Sequence, residues 1–219
     1  QGIIHIFQVR PIVVDHNTYE FDDKNFNDVL NNAFNLFNRL QNPGINILGD
    51  YTIFSNMSDW NPAEMIGVNP NPLALSLYQN LITDETWAKQ RAEFGYRDVR
   101  PNPLLITLGG QPYIDVRTSL NSFIPKALSN EVGQKIVQAY LDYLRENPIL
   151  HDKIEFEVAF TSWTHDFHQI ANERYGNRGV TSKELKLLEN ELKVITNNAF
   201  KFLFKIKENV KMLLFNFEL

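Results

Sequence analysis

The chain has 219 residues and a formal charge of -5, with 43% hydrophobic and 21% charged residues. That is the composition of a soluble globular protein with room for a substantial core. The negative balance argues against a nucleic-acid partner, which would call for a basic face, and no apolar run reaches the roughly 18 residues that cross a bilayer.

Cysteine is absent, which removes disulfides, thiolate nucleophiles and cysteine metal sites. The first residues lack the succession of basic, apolar and small residues of a secretory leader, so the expected compartment is the cytoplasm. The chain enters a strand-like run, "IIHIFQVRPIVV", at once, and at "LLFNFEL" it is still in helical period. Folded domains rarely begin in mid-strand and end in mid-helix, so a piece of a longer polypeptide is expected.

Ile3 to Val14 reads as a strand that Pro11 restricts to an edge or a strand end. Asp22 and Asp23 can cap a helix over 25–41, with Phe26, Val29, Leu30, Ala33, Phe37 and Leu40 on its apolar face and "NPG" at 42–44 to end it. In "SDWNPAEMIG", residues 58 to 67, Ser58 or Asp59 can cap a helix starting near Pro62, with Glu64 in its first turn. Asn71 before Pro72 starts another helix, with Ala74, Leu75, Tyr78, Leu81 and Ile82 as its buried stripe. Thr83 begins a further helix that ends at Gly95.

Leu104 to Arg117 predicts a hairpin turning at Gly109-Gly110. A helix follows over 130–146, stopped by Asn147-Pro148. "KIEFEVAFTSW" alternates, with Ile154, Phe156, Val158 and Phe160 on one side, and predicts a strand. Thr181 and Glu184 form a capping box. Beyond them Leu185, Leu188, Leu192, Ile195, Ala199, Phe202 and Ile206 follow at spacings of three and four. This heptad seam predicts a long helix packed along another helix. The expected fold class is α+β: mixed helices and short sheets in a central substrate domain, with a long C-terminal helix.

Four stretches carry residue types that chemistry uses. In "FQVRP", Gln8 and Arg10 suit phosphate recognition, a guanidinium fork meeting phosphoryl oxygens; the alternative is a surface arginine on an edge strand. In "SDWNPAEMIG", Asp59, Asn61 and Glu64 form either a capped helix start beside Trp60 or the rim of a site for a small polar molecule. "DVRTSLNSF", residues 115 to 123, offers Arg117 and Asn121 among hydroxyls. It is a carboxylate clamp for a substrate, or a buried Arg117 paired with Asp115 or Glu64. His165 and His168 stand one helical turn apart, with no third ligand evident, so no metal site is expected.

These stretches together resemble a known family. "IIHIFQVRPI" looks like the last strand of the ATP-grasp domain of phosphoenolpyruvate synthases and pyruvate phosphate dikinases, which carries a Gln-x-Arg-Pro signature. "SDWNPAEMIG", "PLALSLYQNLITDETWAKQRAEFGYRDVR", "PYIDVRTSLNSFIP" and "LHDKIEFEVAFTSW" resemble, in order, the central region of a capsule-associated subgroup whose best-defined members are L-glutamine kinases of capsule phosphoramidate synthesis. The likeness runs from about residue 3 to residue 165.

The resemblance implies three parts: 1–18 as the terminal strand of an ATP-grasp domain, 19–180 as an acceptor-binding domain, and 181–219 as a helix leading towards a phosphohistidine domain. It implies ATP and Mg2+, both held mainly by the ATP-grasp domain, with Gln8 and Arg10 as nucleotide-phosphate contacts. ATP would phosphorylate a swivelling histidine, releasing AMP and phosphate over the cycle, and the phosphoryl group would pass to the amide nitrogen of L-glutamine. None of the five histidines lies in a recognisable phosphocarrier loop, so the ATP-grasp and phosphohistidine domains of the same polypeptide are the implied partners, and this piece alone is expected to be inactive. For a zwitterionic acceptor, Arg117 would take the carboxylate and Asp59 or Glu64 the ammonium, with Asn61 or Asn121 orienting the amide. Pyruvate, a sugar or an antibiotic are alternative acceptors, and an interdomain spacer is the reading from another class.

Overall fold

The computed structural model describes residues 23–56 and 61–215, with side chains for 24–56 and 61–202. The run Ile3 to Val14 and the residues Ser58 to Trp60 lie outside the described residues. The fold is α+β, mostly helical, with one small antiparallel sheet.

Helix α1 spans Asp23–Leu40. Its apolar stripe forms as the periodicity predicts, but much of it is not buried: Phe26 is 50% and Leu30 54% exposed. Phe37 reaches Phe54, ring centroids 5.5 Å apart, and the helix leans on strand β2. The short strand β1, Phe54–Ser55, leads towards α2, Pro62–Met65. The cap of α2 is Asn61, not Ser58 or Asp59: its side-chain oxygen accepts from the N–H groups of Ala63 (3.0 Å) and Glu64 (3.4 Å). An Asx oxygen immediately before Pro at the first helical position reaches those two N–H groups directly.

Helix α3, Pro72–Tyr78, is capped by Asn71. It runs into a π turn over Gln79–Thr83, closed by Asp84 N–H donating to Gln79 O at 2.9 Å. The extra residue in that turn rotates the stripe. Leu81, expected inside, is 60% exposed, whereas Thr83 is buried. Helix α4 therefore begins at Thr86 rather than Thr83 and ends at Phe94, with Gly95 in the left-handed region at φ 107°.

Strands β2 (Leu105–Leu108) and β3 (Gln111–Asp115) form the predicted hairpin. Gly109 and Gly110 both have positive φ, 60° and 83°, the requirement of a two-residue type I′ turn. The sheet order is β1-β3-β2. Helix α5, Val116–Asn121, follows β3 without a break, and α6 spans Asn130–Glu146 behind its cap Ser129.

Residues Ile154–Val158 are a second π turn, not a strand. Ala159 N–H donates to Ile154 O at 2.8 Å and Glu157 N–H to Lys153 O at 2.7 Å, so the backbone is satisfied locally and needs no neighbouring strand. Ile154 and Val158, four apart, are fully buried, while Phe156 between them is 76% exposed. The alternation was compatible with both geometries, and packing on α6 selected the turn.

Helix α7 spans Phe167–Tyr175 and α8 spans Ser182–Phe215. The capping box at the start of α8 forms: Thr181 N–H donates to the Glu184 carboxylate at 2.8 Å, and Glu184 N–H donates back to Thr181 Oγ1 at 3.3 Å. The seam is buried at Leu185, Leu188, Leu192 and Ile195, against α7 and α4, but Phe202 is 54% exposed. One core unites α5, α6, α7 and the first half of α8, including Leu120, Tyr140 and Tyr175. A smaller one, with Tyr78, Trp87, Leu105 and Ile114, lies under the sheet. Among the described residues no helix is long and apolar enough to cross a membrane.

Candidate functional site

The β3–α5 junction concentrates buried polar groups. Asp115, the last residue of β3, caps α5: its Oδ1 accepts from Thr118 N–H at 2.9 Å and from the Thr52 hydroxyl at 2.7 Å. Thr52 Oγ1 in turn accepts from Arg117 N–H at 3.2 Å. At the second residue of α5, the Arg117 guanidinium donates through Nη1 to the carbonyls of Asn42 (3.1 Å) and Gly49 (3.3 Å). Its Nη2 donates to Leu40 O at 2.7 Å. Leu40 closes α1, so a fixed cation sits on the negative end of that helix.

Burial sets the titration here. It raises the Asp115 pKa, against the opposing hydrogen bonds of Thr118 and Thr52 and the charge of Arg117. It lowers that of Arg117, against the charges of Asp115 and Asp50.

Asn121 completes the arrangement. Its amide donates to Leu48 O and Arg117 O, both at 2.8 Å, and its oxygen accepts from Leu48 N–H at 2.9 Å. From the other side, Gln134 and Gln138 of α6 accept from the N–H groups of Gly49 and Asp50 at 2.7 and 3.0 Å. The segment from Leu40 to Thr52 is thus held by side chains from two helices. Gly49 lies tightly within it at φ 101°, where an added Cβ would stand 3.0 Å from both Leu141 and Val137.

A pocket of about 100 Å³ opens beside this junction, lined among others by Arg39, Asn42, Asn102, Asp115, Arg117 and Thr118. Small-molecule sites run to about 300 Å³ or more, so this one accommodates a polar head group and not a whole amino acid.

The expected site residues are placed unequally. Gln8, Arg10 and Asp59 lie outside the described residues. Asn61 is buried as a helix cap, and Glu64 is exposed in the first turn of α2. The β1–β3 register pairs Phe54 with Asp115 and Ser55 with Ile114. Being antiparallel, it sends the chain beyond Ser55 towards the Gln111 end of β3, away from α5. Gln111 Nε2 donating to Asn69 Oδ1 at 3.3 Å agrees with that direction. Arg117 and Asn121 are together in one buried network, with Asn61 and Glu64 on the chain leading to the other end of the strand. Among the described residues no three His, Asp or Glu side chains gather as a metal ion would require.

A larger cavity, about 390 Å³, lies where α4, the loop 161–163 and α8 meet. Phe94, Tyr96, Trp163 and Phe200 supply aromatic surface, with Arg91, Ser162 and Thr196 as polar neighbours. Nothing in the sequence reading singled it out. The available signal was small: Ala199 on the α8 seam and Thr196 beside it are short side chains that line the cavity with the large Trp163. Neither a family model, nor a curated protein, nor a solved structure matches this chain.

Proposed function

We propose that this chain is the central, acceptor-binding region of an ATP-dependent phosphotransferase that works through a phosphohistidine, with the amide nitrogen of L-glutamine as the acceptor. The support is the ordered set of motifs that resemble the central region of the capsule-associated L-glutamine kinases. The structural observation that carries it is the β3–α5 junction, where a motif-borne carboxyl, Asp115, is buried beside Arg117 and lines a head-group-sized pocket. Amide nitrogen is a poor nucleophile, so its transfer step needs a group that takes the departing proton. Asp115 has the environment for that role, because burial raises its pKa and makes its carboxylate a stronger proton acceptor. Thr118, on the same pocket wall, adds a hydroxyl for orienting an amide. ATP and Mg2+ would supply the activated phosphoryl group through the implied ATP-grasp domain, and the residues read as their contacts, Gln8 and Arg10, are not among the described ones.

The spacer reading draws on a specific observation as well: the charged and amide groups of Arg117 and Asn121 are engaged by the protein's own backbone. Pyruvate, a sugar or an antibiotic remains the alternative acceptor class. Two measurements on the polypeptide containing all three implied parts separate these readings. L-glutamine should be required for steady conversion of ATP to AMP; turnover driven by another acceptor, or none, would overturn the assignment. Asp115→Asn keeps an oxygen for the Thr118 and Thr52 hydrogen bonds but cannot take a proton. It should slow formation of glutamine phosphate by about 10²-fold or more and leave phosphoenzyme formation unchanged. Equal rates in variant and parent would remove Asp115 from the mechanism.

A further inference from the structure

We infer that the exposed apolar face of α1 is the docking surface of the ATP-grasp domain that the proposed function puts before it in the chain. The inference rests on that reading and names the partner it requires. Phe34 is 63% exposed, and Val29 and Leu30 near it are exposed as well. A helix face left to water carries charge as a rule, and this one does not. Six of the 18 residues of α1 are asparagine. Of these, Asn27, Asn31 and Asn38 stand next to Leu30 and Phe34 in the helical register, with Asp28 and Arg39 on the other side. Large apolar side chains bordered by polar groups without charge have the composition of a protein interface.

Chain length selects the occupant. The stretch read as the last strand of that domain ends at residue 18, and α1 begins at Asp23. Five residues span at most about 18 Å, so a domain tethered there lies by the first turns of α1. Leu30 and Phe34 stand about 10 and 16 Å along the helix from Asp23. That is within reach of a body whose radius of gyration is about 13 Å for 100 residues. The phosphohistidine domain is implied beyond α8 and a second copy has no tether, so the chain brings neither of them to α1. The other end of α1 meets the candidate site. Leu40 O accepts from Arg117 Nη2, and Arg39, Leu40 and Asn42 line the small pocket. Phe34 precedes Leu40 by about 9 Å along the axis, so a domain docked on this face is held beside the pocket in which transfer is proposed.

The test uses the polypeptide containing all three implied parts, with photoreactive p-benzoyl-phenylalanine in place of Phe34. The replacement enlarges an exposed ring and leaves the core untouched. On irradiation it should attach to residues that precede the 219-residue chain, as read by peptide mass mapping. Mixing heavy- and light-isotope polypeptides shows whether an attachment crosses between copies. A Phe34→Cys variant gives a second reading, since the 219-residue chain has no other cysteine. Its thiol should react with maleimide about tenfold or more slowly in the three-part polypeptide than in the 219-residue chain, as a face covered about nine-tenths of the time would. Each rate is followed at residue 34 and taken relative to the same chain in urea. Attachment to the segment after residue 219, attachment to another copy, or equal thiol rates would each overturn the inference. Binding of ATP by the same polypeptide separates this failure from failure of the reading beneath it. ATP bound without the expected attachment removes only the docking surface; no ATP binding removes the ATP-grasp domain, and the docking surface with it.

Discussion

Among the described residues two centres bury an ionised side chain, and they do so by opposite means. At the β3–α5 junction the Arg117 guanidinium is surrounded by main-chain carbonyls of Leu40, Asn42 and Gly49. On α8 the Glu189 carboxylate, equally buried, is met by Lys186 and Lys193 at 2.7 Å each and by the Trp163 indole at 3.3 Å. Carbonyls fixed by a helix end and a clamped loop lose no freedom when they bind a cation. The two lysines are 54% and 37% exposed at the side chain, so they give up rotamer entropy and remain open to salt. Arg117 should therefore be worth several times what Glu189 is, although both are charged and buried. A charged residue in a motif can be structural at one centre and adjustable at another, and the partner decides which.

The largest effect expected from this contrast is at Arg117. Arg117→Ala leaves three carbonyls and the Asp115 carboxyl without their cation, which should cost about 3–5 kcal/mol. Arg117→Lys keeps the charge but loses the fork that spans the carbonyls, and should cost about 1.5–3 kcal/mol. Urea unfolding of the 219-residue chain measures both. A deficit below 1 kcal/mol in Arg117→Ala would show that the carbonyls are satisfied by water and that the guanidinium is available to a ligand after all.

Much of the frame of these two centres was legible beforehand, because it rests on local chemistry. Asn71-Pro72, Gly109-Gly110, Asn147-Pro148 and the Thr181–Glu184 box each fix a boundary through a cap or a turn, and each boundary is where it was expected. The misreadings arise where tertiary packing chooses between two local options. At 154–158 the apolar residues fit a strand or one wide turn equally well. On the α3 stripe a π turn that leaves no mark in composition moved Leu81 out. At the candidate site the residue types of "DVRTSLN" were legible as a polar cluster, and a buried Arg117 paired with Asp115 or Glu64 was one of its two readings. That its main partners are carbonyls from residues 40–49 was not, because a sequence does not display which distant backbone a side chain will meet.

The turn at 154–158 tests that lesson next. In a strand, Ile154 and Phe156 would share a face and cost alike; in the turn they differ. Ile154→Ala should cost about 2–5 kcal/mol as a fully buried truncation, and Phe156→Ala less than about 0.5 kcal/mol as an exposed one. Comparable losses in the same urea titration would restore the strand.

The smallest effect separates the two centres by pH. The hydrogen bonds of Lys186 first, then Lys193, hold the Glu189 pKa down to about 2. An unfolded glutamate titrates near 4.3, so the unfolded chain takes up the proton first as the solution is acidified. The stabilisation is complete above that value and is lost as pH falls towards 2. Because both lysines are substantially exposed, it should amount to about 1–2 kcal/mol and shrink in high salt. Asp115 acts with the other sign: burial raises its pKa, so protonation favours the folded state and stability falls as pH rises through the interval above the unfolded value. Glu189→Gln should lower stability at pH 7 and converge on the parent near pH 2.5. It should leave part of the acid loss in place, because Lys135 and Thr181 hold Glu184 down to about 2 as well. Asp115→Asn should instead steepen the acid loss, since it removes the one group of the three that acid favours. Unfolding midpoints at pH 7, 4 and 2.5 measure all three chains. Parallel curves for parent and Glu189→Gln would mean that the carboxylate on α8 is held by packing and not by charge, and the contrast with Arg117 would then be one of burial alone.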